Sequence, residues 1–269
     1  MKIGCIASHR SAKSTELLEF IAYKYSDIAL YDKIASLSDH DCDILIALGG
    51  DGFVLRVLHK LLQLNKHEQT SIYGINCGNI GFLLNDFDSE TEDLMCKIKN
   101  ASKIELSPLK IIIDDASKNG HKIYAINEIS LIRQTYQAVN IEISVEDTVK
   151  IEHLIGDGVL LSTEAGSAAY NLSAGGAILP LGAGLMTMTP INPFRPRGWK
   201  GAILRDTSKI EFKILEDIKR PVLACADFHQ FYFVKRISVF LDKGCKYSLL
   251  FDDNTSLSKK IMDEQFIHW

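Results

Sequence analysis

With 269 residues, 46% of them hydrophobic, the chain can bury a sizeable core and divide into one or two domains, and two are expected. Thirty-four acidic residues against 30 Lys and Arg give a net charge of -4; no basic face dominates, which argues against nucleic acid as a partner and for small molecules. The six cysteines, Cys5, Cys42, Cys77, Cys96, Cys225 and Cys245, contain no CxxC pair, so neither a zinc site nor a disulfide framework is expected, and reduced thiols in a cytoplasmic protein are.

Ile3 to Ala7 reads as an opening strand rather than a signal segment, and no apolar stretch reaches membrane-spanning length. A helix is expected over Thr15 to Tyr25, strands over Ile28 to Tyr31 and Ile44 to Leu48, a helix over Val54 to Leu64, and a strand over Ser71 to Ile75. Such alternation predicts parallel strands with crossover helices.

Between the strand Ile44 to Leu48 and the helix Val54 to Leu64 lies Gly49-Gly50-Asp51-Gly52, followed by Val54, Leu55, Leu58, Leu61 and Leu62 on one helix face. Three glycines permit a sharp turn and bring N–H groups close to an anion, while the helix offers its positive end. Phosphate suits such a turn, with Gly49 and Gly50 against it. Asp51 beside that phosphate could accept a proton from an attacking hydroxyl, or merely cap the helix. Arg56, one turn on, could counter phosphate charge or form a surface ion pair. A second glycine loop, Asn76 to Leu83, follows the next strand, and ligands in open α/β sheets gather at such carboxyl ends.

From about Leu106 helical periodicity nearly disappears. Strands are expected over Leu109 to Ile113, Lys122 to Ala125, Ile129 to Ile132, Ile141 to Val145, Val149 to His153, Ile210 to Ile214, Val222 to Ala226, Phe231 to Phe240 and Tyr247 to Phe251. Asp114 to Gly120 reads as a polar connection, Val145 to Val149 as a hairpin, and Ser256 to His268 as a polar segment able to return to the first domain. Within this second, largely antiparallel domain, Gly156 to Gly176 combines small residues, hydroxyls and Tyr170. Such a stretch can hold a flat base and stack on it, or simply pack closely. Asn127-Glu128 is a polar pair able to meet a base edge and a ribose diol, or to end a strand.

Taken together, these segments resemble the NAD kinase family. The matching blocks are GGDG at Gly49 to Gly52, GINCGNIGFL at Gly74 to Leu83, NE at Asn127 and Glu128, and GDGVLLSTEAGSAAYNLSAGG at Gly156 to Gly176, in the family's order and over most of the chain. The resemblance implies an N-terminal Rossmann-like α/β domain over 1–104, to which residues from about 252 can return. A β-rich, sandwich-like NAD-binding domain is implied over 105–251, with NAD in the crevice between the two. It implies a bacterial-type kinase that moves a phosphoryl group from ATP or polyphosphate to the 2'-hydroxyl of the adenosine ribose of NAD, making NADP. Magnesium or manganese would be carried mainly by the donor phosphates, so no metal-binding residues are named. By position, Asp51 is the family's general base, Glu128 helps hold the ribose and Asn127 faces the adenine. Gly52, Phe82, Ala165, Ser167, Ala169, Tyr170 and Ser173 match positions around NAD, and Asp157 an acid that in oligomers can reach a neighbouring subunit's ligand. Homodimers or homotetramers are implied, with no membrane or nucleic-acid partner.

Three residues depart from the family's STPTGSTAY: Glu164 replaces proline, and Ala165 and Ala168 replace threonines. Two hydroxyls are thereby lost, each worth about 1 kcal/mol if it touched NAD, and Glu164 could alter the turn or repel phosphate. Asp227 sits near a ligand-side acid of the family, although Phe228 and His229 after it differ. Thr189 to Trp199 resembles the family's TP-containing loop leading to an RP pair. A GGDG-type lipid kinase and a noncatalytic NAD-binding regulator are the alternatives.

Overall fold

In the computed structural model, which describes residues 1–115, 120–252 and 257–266, the chain forms two units, Met1–Leu106 with Cys245–Phe266, and Ser107–Gly244. The first opens with β1 (Ile3–Ala7), α1 (Ala12–Lys24), β2 (Ala29–Tyr31), a 3-10 turn over Ile34–Asp39, β3 (Ile44–Gly49), α2 (Asp51–Gln63), β4 (Ser71–Asn76), α3 (Leu94–Asn100) and β5 (Ser102–Leu106). β1 and β3 are buried along their whole length, as strands must be when helices cover both faces of a sheet, and β1 to β4 pair in parallel. α2 starts at Asp51 rather than Val54, because the carbonyl of Gly50 already accepts the N–H groups of Phe53 and Val54. Its buried face includes Val57 and His59, and the expected Leu55 is only half buried. α3 escaped the sequence reading because seven residues are too few for a periodic signal; its start is set by Asp93, whose carboxylate accepts the Cys96 N–H at 2.7 Å.

The second unit contains β6 (Leu109–Asp115), β7 (His121–Ala125), β8 (Glu128–Arg133), β9 (Val139–Val145), β10 (Thr148–Gly156), β11 (Gly158–Ser162), α4 (Tyr170–Ser173), β12 (Leu185–Ile191), β13 (Ala202–Arg205), β14 (Ile210–Ile214), β15 (Val222–Ala226), β16 (His229–Phe231) and β17 (Val234–Leu241). They form two antiparallel sheets of six strands, ordered β10-β9-β14-β17-β6-β7 and β13-β12-β11-β8-β15-β16. β6 alternates buried and half-buried residues, so Leu109, Ile111 and Ile113 enter a core that Leu131, Val159, Leu161, Met186 and Ala224 of the other sheet complete. The hairpin between β9 and β10 turns on Glu146 and Asp147, both at positive φ. The strand expected over Phe231 to Phe240 is two strands in different sheets. Phe233, at φ +52, breaks it. β12 and β13 were not anticipated.

β18 (Tyr247–Phe251) and α5 (Leu257–Glu264) end the described chain. β18 lies where expected but not in the second domain: it pairs with β4 in parallel and β5 antiparallel, completing the order β2-β1-β3-β4-β18-β5. All five of its residues are buried, a demand that a place inside the helix-covered sheet meets. Of the expected polar segments, 116–119, 256 and 267–268 fall outside the described residues. No described helix is long and apolar enough to cross a membrane.

Candidate active site

The expected site residues gather in two clusters, one in each unit. In the first unit, β3 runs out at Gly49, Gly50 caps α2 in extended conformation, and Asp51 opens the helix. The glycines of this turn serve different ends. Gly49 is buried, and a Cβ there would lie 2.8 Å from the Phe53 ring, so its missing side chain makes room for protein. Gly49, expected against a phosphate, thus has a packing reason of its own to be glycine. At Gly50 and Gly52 a Cβ would meet nothing within 4 Å, and neither has a positive φ. The protein itself therefore gives no packing or conformational reason for these two glycines, and both face open space.

Asp51 is held by the second glycine loop. Its Oδ2 accepts the Gly81 N–H at 3.1 Å and its Oδ1 the Leu83 N–H at 2.7 Å, while the Cys77 N–H donates to the Gly49 carbonyl at 2.9 Å. Gly81 reaches that position at φ +81, a conformation that glycine adopts readily, and an added Cβ would strike Asn76 at 2.6 Å. The expected meeting of the two glycine loops is thus present within this unit, and Phe82 is half buried between the two residues that grip Asp51. Asp51 does not cap α2 through its side chain.

Lys260 was missed by the sequence reading. From α5 its ammonium donates to the carbonyls of Gly81, at 2.6 Å, and of Leu84, bracing the segment that grips Asp51. Burial pushes its pKa down, against the opposing effects of Asp86, Asp51 and Asp252. A lysine in a polar tail offers no sequence signal for such a role.

In the second unit, Asn127 and Glu128 lead into β8. The carboxylate of Asp227 accepts three successive N–H groups, Ile126 at 2.7 Å, Asn127 at 2.9 Å and Glu128 at 3.2 Å. Asp227 is therefore the anchor of the NE step, and its φ of +50 belongs to the tight turn between β15 and β16. Glu128 Oε2 and Asn127 Oδ1 are buried with no hydrogen-bond partner among the described residues. Burial first, and the charge of Asp227 second, push the Glu128 carboxyl up to about 8. Partial desolvation of its own hydroxyl, with the charges of Glu128, Cys225 and Asp157 behind it, raises Tyr170. The structure thus brings Tyr170, Glu128 and Asp157 into one electrostatic neighbourhood.

The 162–169 turn packs directly on this step. Asn127 O accepts the Thr163 N–H at 2.9 Å, and a Cβ on Gly166 would lie 2.3 Å from that same oxygen, so only glycine fits. Ser167 is fully buried; its hydroxyl donates to Glu164 O at 2.7 Å and accepts the Leu179 N–H at 3.0 Å. It shapes the turn from inside, and the hydroxyl expected along NAD is bonded within the protein. Ala165 and Ala168 are nearly buried, Ala169 is half buried, and Tyr170 and Ser173 are exposed. Glu164 does not stand free: its two oxygens accept the Gly182 N–H at 2.6 Å and the Leu185 N–H at 3.0 Å. Asp157 is paired with Arg133 at 2.7 Å and accepts from the Asn192 amide at 2.9 Å. Asn171, unremarked in the sequence, is wholly buried and ties Ser167, Ala177 and Thr189 together.

Comparison with known proteins gives the family. Residues 4–98 match the ATP-NAD kinase N-terminal domain model and residues 126–247 the ATP-NAD kinase C-terminal domain model. An NAD kinase of Rhizorhabdus wittichii is 45% identical over 224 residues, 83% of this chain and 86% of its own. One from Xanthomonas campestris pv. campestris is 39% identical over 246 residues, 91% and 90% of the two chains. In fold, the chain resembles a yeast NADH kinase crystallised with NADH (TM-score 0.82, 21% identity, 99% of this chain and 87% of that one). It also resembles an NAD kinase of Archaeoglobus fulgidus in complex with ATP (TM-score 0.76, 22% identity, all of both chains).

Proposed function

The chain belongs to the NAD kinase family and is a phosphotransferase that acts on NAD; from that premise we propose that Asp51 removes the proton from the 2'-hydroxyl of the adenosine ribose as that oxygen attacks the donor. The observation that carries this reading is the grip of the Gly81 and Leu83 N–H groups on Asp51 beside two glycines that face open space. A ribose hydroxyl is a weak nucleophile, so transfer needs a positioned base, neutralised phosphate charge and exclusion of water. The two N–H groups fix the carboxylate and leave each oxygen a further lone pair for the incoming proton.

Glu128 and Asn127 bind the adenosine end of NAD, with their unpartnered buried oxygens as the contacts. At neutral pH Glu128, at about 8, is mostly a carboxylic acid, able to donate to one ribose oxygen and accept from the other. Tyr170 stacks on the base, and Ala165, Ala169 and Ser173 lie along the same wall. Gly52, Phe82 and Asp157 complete the NAD contacts, and Gly50 and Arg56 meet phosphate. The donor is ATP or polyphosphate; the A. fulgidus relative's ATP complex supports the former.

No group of three or more His, Cys, Asp or Glu suited to a metal occurs among the described residues. A magnesium or manganese ion that arrives on the donor phosphates needs few protein ligands, and the open space at Gly50 and Gly52 fits it. Such an ion would supply charge neutralisation. The protein works in the cytoplasm, as the scattered free cysteines suggest, and as a homodimer or homotetramer, as the family resemblance implies.

The test is NADP formation by purified protein from NAD and magnesium with ATP or with polyphosphate, alongside Asp51→Asn. Formation lost in the variant, with NAD binding retained, supports the base. Equal turnover by the variant removes Asp51 from that role.

A further inference from the structure

The eight residues of α5 are too few to hold a helix in water, so it is kept by the face it buries. Leu257 and Ile261 are fully buried, Lys260 and Glu264 are half buried, and Ser258, Lys259, Met262 and Asp263 are exposed. Positions 257, 260, 261 and 264 thus share one side at helical spacing. Lys260 stands between two apolar anchors, and its long stem carries the ammonium to the turn over residues 81–84.

That turn is the piece of backbone whose N–H groups hold Asp51, and its other attachments show what Lys260 adds. Downstream, Asn85 is fixed to the sheet: its N–H donates to the Gly74 carbonyl at 2.8 Å, and its side-chain amide to the carbonyls of Gly74 and Leu250 at 3.2 and 2.9 Å. Upstream, Lys13 of α1 donates to the Asn76 carbonyl at 3.0 Å, and Asn76 Oδ1 accepts the Gly78 N–H at 3.0 Å. Between these fixed ends the turn closes on itself by a long bond, from the Leu84 N–H to the Gly81 carbonyl at 3.4 Å. The Lys260 ammonium donates to that same Gly81 carbonyl and to the carbonyl of Leu84, so one charged donor spans both ends of the turn. The grip on Asp51 is mutual: Gly81 and Leu83 hold the carboxylate, and the carboxylate holds them. Lys260 ties the turn to something other than the group it positions.

Resting on the reading of Asp51 as the base, we infer that Lys260 is a positioning residue for phosphoryl transfer: through the carbonyls of Gly81 and Leu84 it keeps two N–H groups where they orient the Asp51 carboxylate. It acts on backbone and not on substrate. A catalytic group displaced by about 1 Å can cost about 10²-fold in rate. The loss therefore belongs to turnover, and the binding of NAD is spared. The last helix of the described chain thus serves the chemistry from outside the glycine turn.

The experiment uses the whole chain with Lys260→Met, which keeps a long stem and removes the charge and the donors, Lys260→Arg, which restores both, and Lys259→Met, which removes the same charge from the exposed neighbouring position. Where Lys260→Met fails to fold, Lys260→Gln, with neutral donors, takes its place. Turnover and NAD KM are measured with magnesium and the donor that yields NADP, NAD Kd by calorimetry, and hydrogen exchange over residues 76–85 by mass spectrometry. Lys260→Met should lower kcat about tenfold or more and speed exchange about tenfold, with NAD KM and Kd moving less than about twofold. Lys260→Arg should recover most of the turnover, and Lys259→Met should stay within about twofold of wild type. In an Asp51→Asn background Lys260→Met should cost less than about twofold, because the group it positions is already gone, whereas a general weakening of the fold would multiply the two losses. A loss carried by NAD KM with kcat intact, an equal loss with and without Asp51, or unchanged exchange would each overturn the assignment. Turnover indifferent to Asp51→Asn, or no NADP from any donor, would defeat the reading of the base instead, and hydrogen exchange would still decide whether Lys260 holds the turn.

Discussion

Asp227 holds the backbone of Glu128 and opposes the ionisation of its side chain: Oδ1 of Asp227 accepts the Glu128 N–H at 3.2 Å, and its charge adds to the burial that pushes Glu128 up to about 8. One carboxylate thus fixes where the other sits and keeps it protonated. Asp227→Asn keeps the shape but removes the charge and one acceptor oxygen. NAD KM should rise several-fold, and the ionisation assigned to Glu128 in the pH profile of kcat/KM should move to lower pH. A profile that does not move would separate Asp227 from the protonation of Glu128.

The same shift makes stability depend on pH. Glu128 titrates at about 8 when folded and near 4.5 when exposed, so below 4.5 both states hold the proton and no penalty exists. As pH rises from about 4.5 to about 8 the unfolded chain ionises first, and stability is lost. Glu128→Gln cannot ionise, so its advantage over wild type should grow by a few kcal/mol between pH 5 and pH 8 in urea unfolding. Parallel curves would show that burial of this carboxyl carries no such penalty. NAD binding by this variant should weaken, since the diol loses its acid.

Asp51→Asn should lower turnover by about 10² to 10⁴, the usual range for a missing general base. An amide has one acceptor oxygen, so either the Gly81 or the Leu83 N–H is left facing an NH₂ group. Stability should therefore fall by about 1–3 kcal/mol, and NAD binding must be measured directly to separate the two effects.

Gly52→Ala offers a contrast of sign. The added methyl enters open space on a helical residue, so the protein should gain up to about 1 kcal/mol of stability. Activity should drop, because that space is where NAD is placed. Gly49→Ala should destabilise instead, by forcing Phe53 away. If Gly52→Ala raised the melting temperature with kcat/KM intact, the clearance argument would fail.

Glu164→Ala should free the Gly182 and Leu185 N–H groups and lose about 1–3 kcal/mol of stability. The family's proline at this position would lose the same two bonds. Were Glu164 a source of repulsion toward phosphate, removing it would tighten donor or NAD binding; with its charge committed to two N–H groups, KM should not fall. Steady-state kinetics beside urea titration distinguishes these outcomes.

Much of this protein is legible from its residues alone. The strand-glycine-helix pattern around Asp51, the switch from helical to alternating periodicity near Leu106, and the type of almost every expected element follow from local rules, since turn chemistry and side-chain period act over a few residues. Tertiary structure decided the partners. Asp227 meets Asn127 from 100 positions away and Lys260 meets Gly81 from 179, distances across which only chain packing chooses who touches whom. Ser167 shows only a hydroxyl in sequence, and the fold gives it Glu164 and Leu179 as partners inside the turn; Glu164 looks like an intruder but is a brace. Tyr247–Phe251 is a strand by composition in either unit. Only the parallel partner β4 assigns it to the first sheet, because burial on both faces is a property of the assembled layers.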